Sequence, residues 1–230
     1  MKTIGLIGGT SWVSTVDYYK YLNEMMAGKL GGATSAKILL YSVDFAEVEH
    51  LQSEGDWDAL GEMYAEIGRN LQTAGADCLL ICANTMHKVA PALEAAVDIP
   101  LIHIVDATAA AVKEAGLSQV SLLGTRYTME LPFFSERLAS LGVTAITPSD
   151  DERTYIHDKI YGEMTHGQFL PKTKAGYVEI IHGLAERGAQ GAILGCTEIP
   201  MLIKSTDTPQ PIFDTTWHHC KAAVEFALAD

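Results

Sequence analysis

The sequence predicts an α/β fold made of two similar lobes, each built on a parallel β-sheet. Two observations support this fold class. Short, continuous apolar runs alternate along the chain with longer periodic segments, and motifs at the ends of the runs recur about half a chain length later. Strands of a parallel sheet are covered by helices on both faces, so they form unbroken apolar runs rather than alternating ones.

Eight short runs have the apolar and β-branched character of buried strands. They are residues 3–7, 37–43, 77–82, 101–105, 119–123, 143–147, 191–194 and 211–213. The segments between them have apolar residues at helical spacing. These segments predict helices at 14–30, 56–75, 87–97, 106–116, 129–141 and 173–188, and a last helix at 215–228.

The chain repeats three motifs in the same order. Residues 6–10 (LIGGT) are echoed at 122–125 (LLGT), residues 75–77 at 188–190, and residues 104–108 (IVDAT) at 212–216 (IFDTT), with offsets of 116, about 113 and 108 residues. We therefore predict two pseudo-symmetric lobes of roughly four strands each, residues 1–104 plus 212–230 and residues 105–211. Ligands of open α/β sheets bind beyond the carboxyl ends of the strands, where the echoed motifs lie. The active site is expected in the cleft between the lobes.

The charge balance excludes some partners. The chain has 16 Lys and Arg residues against 29 Asp and Glu residues, a net charge of −13. Such a chain repels polyphosphate, so nucleic acid is not an expected partner. No apolar stretch approaches the ~20 residues of a membrane span. A substrate carboxylate would have to be bound by neutral amide and hydroxyl donors.

The four cysteines are Cys78, Cys82, Cys196 and Cys220. Their spacing fits neither a zinc site nor a dense disulfide framework. The short N-terminal apolar run reads as a first strand rather than an export signal. We therefore expect free thiols in a cytoplasmic protein. Cys78 and Cys220 are expected to be packing residues.

The first candidate segment, 8–11 (GGTS), lies between a strand and a helix and includes Thr10. It is either a tight turn that needs glycine or a nest of N–H groups that binds a carboxylate. It lacks the full dinucleotide-binding fingerprint and the P-loop lysine. Asn84 and Thr85 have an equivalent position after the strand that ends at Cys82. They can cap the next helix or bind the ligand.

In the second lobe, Cys196, Thr197 and Glu198 follow a strand and begin a helix. A helix N-terminus favours the thiolate form of a cysteine, which makes Cys196 a candidate acid/base group. Thr197 can act as a cap and Glu198 as a partner of the helix dipole. Thr125 and Thr128 can likewise cap a helix or bind a carboxylate. We interpret His87, His103, His218 and His219 as structural, with the last two on a solvated helix.

At these segments the chain resembles the aspartate/glutamate racemase family. The matching motifs are I-G-L-I-G-G at 4–9, N-T-M-H at 84–87, L-L-G-T-R-Y-T at 122–128 and G-C-T-E at 195–198. The resemblance implies two α/β lobes, a small-molecule amino acid as substrate, neither pyridoxal phosphate nor a metal as cofactor, and a homodimer. It also implies one cysteine on each face of the substrate Cα. Cys196 maps onto the second of these cysteines.

The chain departs from the family pattern at the first cysteine. The usual thiol immediately precedes Asn, where this chain has Ala83, and Cys82 lies one residue earlier. Neighbouring residues of a strand point to opposite faces, so Cys82 is expected to point away from the site unless the strand has already turned.

The cations that bind the distal carboxylate in aspartate-specific relatives are also missing. Residues 44–50 contain no arginine, and Thr165 replaces the lysine. By resemblance, Gln52 lines that end of the pocket, and Arg126, Lys88 or His50 can supply a positive charge.

Three hypotheses follow. The first is an amino-acid racemase with a preference for the L-enantiomer, and its catalytic candidates are Cys196 and Cys82. The substrate-binding candidates are Thr10, Gln52, Ala83, Asn84, Thr85, Thr125, Thr128, Thr197 and Glu198. The second is a single-thiol decarboxylase of the arylmalonate type, which needs only the G-C-T thiol. The third is a carboxylate-binding protein without catalysis.

Overall fold

The protein is described by a computed structural model in which residues 1–229 are defined. Its strands are β1 (Ile4–Gly8), β2 (Ile38–Ser42), β3 (Cys78–Ile81), β4 (Gln119–Gly124), β5 (Thr144–Ile146), β6 (Ala192–Gly195) and β7 (Ile212–Asp214). Its helices are α1 (Trp12–Leu30), α2 (Phe45–Glu54), α3 (Trp57–Thr73), α4 (Ala90–Ala96), α5 (Ile104–Glu114), α6 (Arg126–Glu130), α7 (Pro132–Ser140), α8 (Asp150–Gly162), α9 (Pro171–Glu186), α10 (Ile199–Leu202) and α11 (Thr215–Leu228). The α/β fold class is confirmed.

The chain divides into two compact units. One unit contains Met1–Ile104 and the residues from His219 onward, and the other contains Val105–His218. The boundary within the C-terminal part differs from the predicted one at residue 212, because β7 pairs with β6 in the second unit. Residues 212–214 therefore complete the second sheet, and α11 leads from one unit into the other.

The first unit is built on a three-stranded parallel sheet in the order β2-β1-β3. All five residues of β1 are buried, as expected for a central strand covered on both faces. Side chains of α1 and α11, among them Tyr18, Leu22 and Val224, pack on one face together with Cys78 and Leu80. The other face packs against α3 and the following segment, including Tyr64 and Leu93.

The prediction of a strand at 101–105 is wrong. Only Leu101 pairs with the sheet, through a single parallel bridge to Leu79. The N–H of Leu79 donates to the carbonyl of Pro100 and that of Ile102 donates to Leu79, both at 2.9 Å. Helix α5 begins at Ile104, so the ladder ends after one bridge. The first sheet therefore has three strands instead of the predicted four.

The second unit contains the predicted four-stranded parallel sheet, in the order β5-β4-β6-β7. Its core joins Leu123 of β4 and Leu194 of β6 to Ile156 of α8 and Tyr177 of α9. The Tyr177 hydroxyl donates to the carbonyl of Ile156 at 3.0 Å, so this buried phenol is satisfied.

Two helices were not predicted, although both have clear start signals. Asp44 caps α2 by accepting from the Ala46 N–H at 3.0 Å. Ser149 and Glu152 form a capping box at the start of α8, in which the Ser149 N–H donates to the Glu152 carboxylate at 2.7 Å. Among residues 1–229, no helix is both long enough and apolar enough to cross a membrane.

Candidate functional site

In the first unit, the carboxyl end of β1 turns tightly into α1. Gly9 has φ of 95°, and a Cβ there would lie 2.4 Å from the Val43 carbonyl oxygen, so only glycine fits. The Gly9 N–H donates to the Thr15 hydroxyl at 2.9 Å. Thr10 is largely buried, and its hydroxyl bonds the Tyr64 hydroxyl at 3.1 Å. Tyr64 was not singled out from the sequence, because it lies on α3, remote along the chain.

The carboxyl end of β3 lies next to that of β1, since Ile7 pairs with Ile81. Cys82 continues this ladder, with its N–H donating to the Ile7 carbonyl at 2.9 Å. Its side chain is fully buried in the cluster formed with α1 and α11, beside Cys78 and Leu80. Ala83 belongs instead to the cluster on the opposite face. Burial raises the pKa of the Cys82 thiol far above its usual range. This placement is unfavourable for proton transfer by Cys82.

Asn84 and Thr85, both buried, follow Ala83 and lead into a 3-10 turn at Thr85–Val89. His87 holds this turn in place. The N–H of Ile104 donates to His87 Nε2 at 3.2 Å, so Nδ1 carries the ring proton and donates to the Ala83 carbonyl at 2.9 Å. The backbone at position 83, where the resemblance implies the first thiol, is thereby tied to the start of α5.

The prediction that His219 lies on a solvated helix is wrong. It is fully buried, with its Nε2 bonded to the Ile102 carbonyl at 2.6 Å and its Nδ1 to the Tyr18 hydroxyl at 2.9 Å. Burial lowers its pKa to about 4, so it is neutral near pH 7. The rings of His87 and His103 have centroids 4.5 Å apart, and those of His87 and His219 are 5.6 Å apart. His87, His103 and His219 therefore form one buried cluster that includes the end of the 83–87 segment.

Gln52 lies on α2 and is 3% exposed. Its amide Nε2 donates to the thioether sulfur of Met86 at 3.0 Å, which places Gln52 beside the N-T-M-H segment. A thioether is a weak acceptor for an amide N–H. A ligand carboxylate in the same place would be a stronger acceptor.

In the second unit, β4 and β6 end side by side, because Gly124 pairs with Gly195. A Cβ at Gly124 would lie 2.5 Å from the Gly195 carbonyl oxygen, so glycine allows the close approach. Thr125 then caps α6 by accepting from the Thr128 N–H at 3.3 Å, and the two hydroxyls are 3.2 Å apart. Both threonines are buried at the carboxyl end of the sheet.

Cys196 follows β6 at this same end of the sheet. It is 7% exposed, and its thiol donates to the Glu198 carboxylate, with Sγ 3.0 Å from Oε2. The Thr197 hydroxyl donates to the same oxygen at 3.0 Å. Glu198 is itself 3% exposed, so a carboxylate is held next to the thiol with little access to water.

The acid/base state of Cys196 differs from the thiolate that its position before a helix suggested. Burial, followed by the charge of Glu198, holds its pKa well above the ordinary value. The backbone N–H groups of Thr197 and Glu198 act in the opposite direction. Helix α10 has only four residues, so its dipole contributes little. Cys196 is therefore a thiol at neutral pH, hydrogen-bonded to the carboxylate that can accept its proton.

Two of the suggested cations have other partners. Arg126 donates to the Thr154 hydroxyl at 2.5 Å and pairs with Glu130 at 3.5 Å. The ammonium of Lys88 lies 4.8 Å from the centre of the Trp57 ring. The structure thus brings Thr10, Ala83, Asn84 and Thr85 together in the first unit, and Thr125, Thr128, Cys196, Thr197 and Glu198 together in the second. Within residues 1–229, no group of three His, Cys, Asp or Glu side chains is arranged to bind a metal ion.

Comparisons with known proteins agree with this arrangement. The Asp/Glu/hydantoin racemase family matches residues 7–223 of the chain. A protein from Yersinia pestis, provisionally named an Asp/Glu racemase, is 46% identical and has a TM-score of 0.92, with 100% of each chain covered. An aspartate racemase homologue from Pyrococcus horikoshii is 33% identical with a TM-score of 0.87, again over 100% of each chain.

More distant structures share the fold. The aspartate racemase of Picrophilus torridus is 21% identical, with a TM-score of 0.75 over 99% of this chain and 94% of its own. The match to the family extends over most of the sequence, from β1 into α11. The chain therefore belongs to the Asp/Glu/hydantoin racemase family.

Proposed function

We propose that the chain is a cofactor-independent amino-acid racemase in which Cys196 exchanges the α-proton of the substrate. The observation that carries this proposal is the buried contact between the Cys196 thiol and the Glu198 carboxylate, 3.0 Å apart at the carboxyl end of β6. Transfer of the thiol proton to Glu198 produces a thiolate. The thiolate then removes the proton from the substrate Cα. A water molecule protonates the resulting carbanion on its other face, because position 83 has no thiol, and the proton held by Glu198 neutralises the hydroxide that remains.

Glu198 raises the pKa of Cys196, yet it also gives the thiol proton an acceptor within contact distance. A buried thiol with a raised pKa is a poor base at neutral pH, because its charged form is desolvated. A carboxylate in contact with the sulfur can accept the proton locally, so that no proton has to be exchanged with bulk water first. The Thr197 hydroxyl shares the same Glu198 oxygen and keeps the carboxylate oriented toward Sγ.

We propose that neutral donors bind the α-carboxylate of the substrate. The chain carries a net charge of −13, and the candidate donors lie at strand ends or helix starts. They are Thr10, Asn84, Thr85, Thr125, Thr128 and Thr197. At the side-chain end, Gln52 offers an amide donor whose present acceptor is a thioether. An amino acid with a polar or acidic side chain fits such a donor.

Thr85→Val and Thr125→Val should each weaken substrate binding by about 1–3 kcal/mol, the cost of an unmade buried hydrogen bond. Isothermal titration with the best substrate in the Cys196→Ser background measures binding without turnover. Thr125→Val also removes the cap of α6, so its unfolding free energy must be measured alongside. Ser53→Ala is a suitable control, because that exposed hydroxyl bonds only its own helix at His50. Unchanged affinity in both valine variants would remove these threonines from the binding site.

Incubation with a panel of L- and D-amino acids in deuterated water tests the proposed reaction. Loss of the Cα–H signal by NMR, together with chiral chromatography, should identify at least one amino acid that exchanges and inverts.

A single-thiol decarboxylase is the second candidate, because Ala83 lacks a thiol and Cys82 is buried on the face of its sheet that packs against α1 and α11. Release of CO2 from an arylmalonate without amino-acid exchange would favour that enzyme. Tight binding with neither reaction would indicate a carboxylate-binding protein.

A further inference from the structure

The hydroxyls that follow β1 differ in how their protons are used. Ser14 and Thr15 both donate to the Ser11 carbonyl, at 3.3 and 3.0 Å, so their protons are used inside the turn. The Thr10 hydroxyl bonds the phenol of Tyr64 instead, at 3.1 Å. Either oxygen of this pair can be the donor, because each belongs to a hydroxyl. Which of them donates decides whether Thr10 has a proton to offer to a ligand.

Burial determines the direction of this hydrogen bond. Tyr64 is fully buried, and among the residues that the structure describes its hydroxyl is bonded to Thr10. If Thr10 donated, the phenol proton would be left without an acceptor where water cannot reach it, which is unfavourable. Thr10 is 8% exposed, so its own proton has access to water or to a ligand. Tyr64 therefore donates and Thr10 accepts.

The ring of Tyr64 is fixed by the core of the first unit. Four residues at helical spacing on α3 pack with Ile7 of β1 in one buried cluster: Leu60, Tyr64, Ile67 and Leu71. Burial also raises the pKa of the phenol above its ordinary range, so the phenol keeps its proton at neutral pH. The Thr10 oxygen thus has a donor that is fixed in position and does not ionise.

The second unit has an equivalent arrangement at the echoed position. Thr125, which corresponds to Thr10 in the repeated motif, accepts from the backbone N–H of Thr128 at 3.3 Å. There the donor belongs to the helix that the threonine caps. Thr10 lies one residue before Ser11, the N-cap of α1, and so is not placed to accept from that helix in the same way. A side chain from α3 supplies the donor instead.

We propose that Tyr64 is a positioning residue, whose phenol orients the Thr10 hydroxyl to donate its proton to the α-carboxylate of the substrate. This inference rests on the proposed function, in which Thr10 is one of the neutral donors. A hydroxyl that accepts one hydrogen bond becomes a stronger donor of the next. The gain is useful because those donors are uncharged and a net charge of −13 repels an anionic substrate. Tyr64 acts only through Thr10.

Melting temperatures test the direction of the bond without a ligand. Thr10→Val leaves the Tyr64 proton buried without an acceptor, and it should lower the melting temperature by about 2–12 °C. Tyr64→Phe removes that proton, so its addition to Thr10→Val should recover most of the loss. Tyr64→Phe alone should cost less than Thr10→Val, because the Thr10 oxygen can bond water. The reverse order, or a double variant no more stable than Thr10→Val, would overturn the direction of donation.

Isothermal titration with L-aspartate in the Cys196→Ser background tests the effect on binding. Tyr64→Phe should weaken the affinity about 3–10-fold, the loss of one hydrogen bond. In a chain that also carries Thr10→Val, the same change should leave the affinity unaltered, because no hydroxyl is left to orient. Thr10→Ser keeps the hydroxyl, so it should keep both the affinity and its sensitivity to Tyr64→Phe.

Tyr177→Phe is the matched control, since that buried phenol donates to the Ile156 carbonyl at 3.0 Å in the second unit. It should lower the melting temperature without changing the affinity for L-aspartate. An equal loss of affinity from Tyr64→Phe with and without Thr10→Val, or no loss in either chain, would overturn the proposal. Failure to bind either L-aspartate or L-glutamate would contradict the proposed function, and the role toward the substrate with it. The melting temperatures would still show whether Tyr64 donates to Thr10.

Discussion

Cys196→Ser should reduce turnover by about 10²–10⁴-fold, the usual contribution of a positioned acid or base. A serine hydroxyl is a much weaker acid than a thiol, so Glu198 cannot convert it to a useful base near neutral pH. Oγ can still accept the hydrogen bonds of the site and donate to Glu198, which lies 3.0 Å from Sγ in the unmodified chain. Substrate binding and the melting temperature should therefore change little. Steady-state racemisation and solvent deuterium exchange both measure the effect.

Cys220→Ala is the matched control for this experiment. Cys220 is a fully buried thiol on α11, packed in the core cluster with Tyr18 and Cys82. Its replacement removes a thiol of comparable burial and should leave kcat within about twofold of the original value, with only a modest loss of stability. If Cys196→Ser retained more than a tenth of the original activity, Cys196 would have no part in proton transfer. Inactivation by Cys220→Ala as well would indicate that thiol loss acts through folding.

The parts of the fold that follow from local pattern could be predicted from the sequence. Unbroken apolar runs located the strands of both sheets, and the repeated strand-end motifs indicated two lobes. Helices α2 and α8 were not predicted, although the sequence contains their capping residues, Asp44 for α2 and Ser149 with Glu152 for α8. The strand at 101–105 was a false prediction, because its composition suited a strand but its backbone makes only one bridge. Propensity does not determine where a ladder stops.

The site could be predicted only where it depends on sequence neighbours. Strand alternation correctly indicated that Cys82 and Ala83 point to opposite faces of the first sheet. In contrast, the Tyr64 contact with Thr10 and the burial of His219 against Tyr18 depend on how distant helices pack. The protonation of Cys196 is of the same kind. Its position before a helix suggested a thiolate, whereas burial, followed by the charge of Glu198, raises the pKa of the thiol instead.

The stereochemical preference of the enzyme should follow from position 83. The resemblance to the racemase family implies a thiol at this position for one face of the substrate Cα, and here the residue is Ala83. We expect the enantiomer whose α-proton faces Cys196 to exchange with solvent readily and its mirror image to exchange slowly. By resemblance the G-C-T-E thiol serves the L-enantiomer, so the L-amino acid should exchange faster. Initial rates of deuterium incorporation into each pure enantiomer measure this ratio.

Ala83→Cys should restore the missing group and raise exchange of the slow enantiomer by about 10-fold or more, a fraction of what a well-placed acid or base contributes. Ala83 is 6% exposed and belongs to the buried cluster that packs the sheet against α3. The added sulfur should therefore lower the free energy of unfolding by about 1–3 kcal/mol. Ala83→Ser provides the matched control, since its hydroxyl has nearly the same size but cannot act as the base. A gain specific to cysteine therefore reports proton transfer rather than a change in packing.

Cys82→Ala completes the comparison, because Cys82 is the thiol adjacent to this position. Its side chain is fully buried on the face that packs against α1 and α11, and burial raises its pKa far above the usual range. Loss of this thiol should leave the exchange of both enantiomers nearly unchanged. The opposite result, with Cys82→Ala inactive and Ala83→Cys neutral, would mean that the end of β3 rearranges to bring Cys82 to the substrate. The unmodified chain could instead exchange both enantiomers equally, and Cys82→Ala could do the same. That result would contradict a one-sided thiol site, because Cys196 alone cannot reach both faces of one bound Cα.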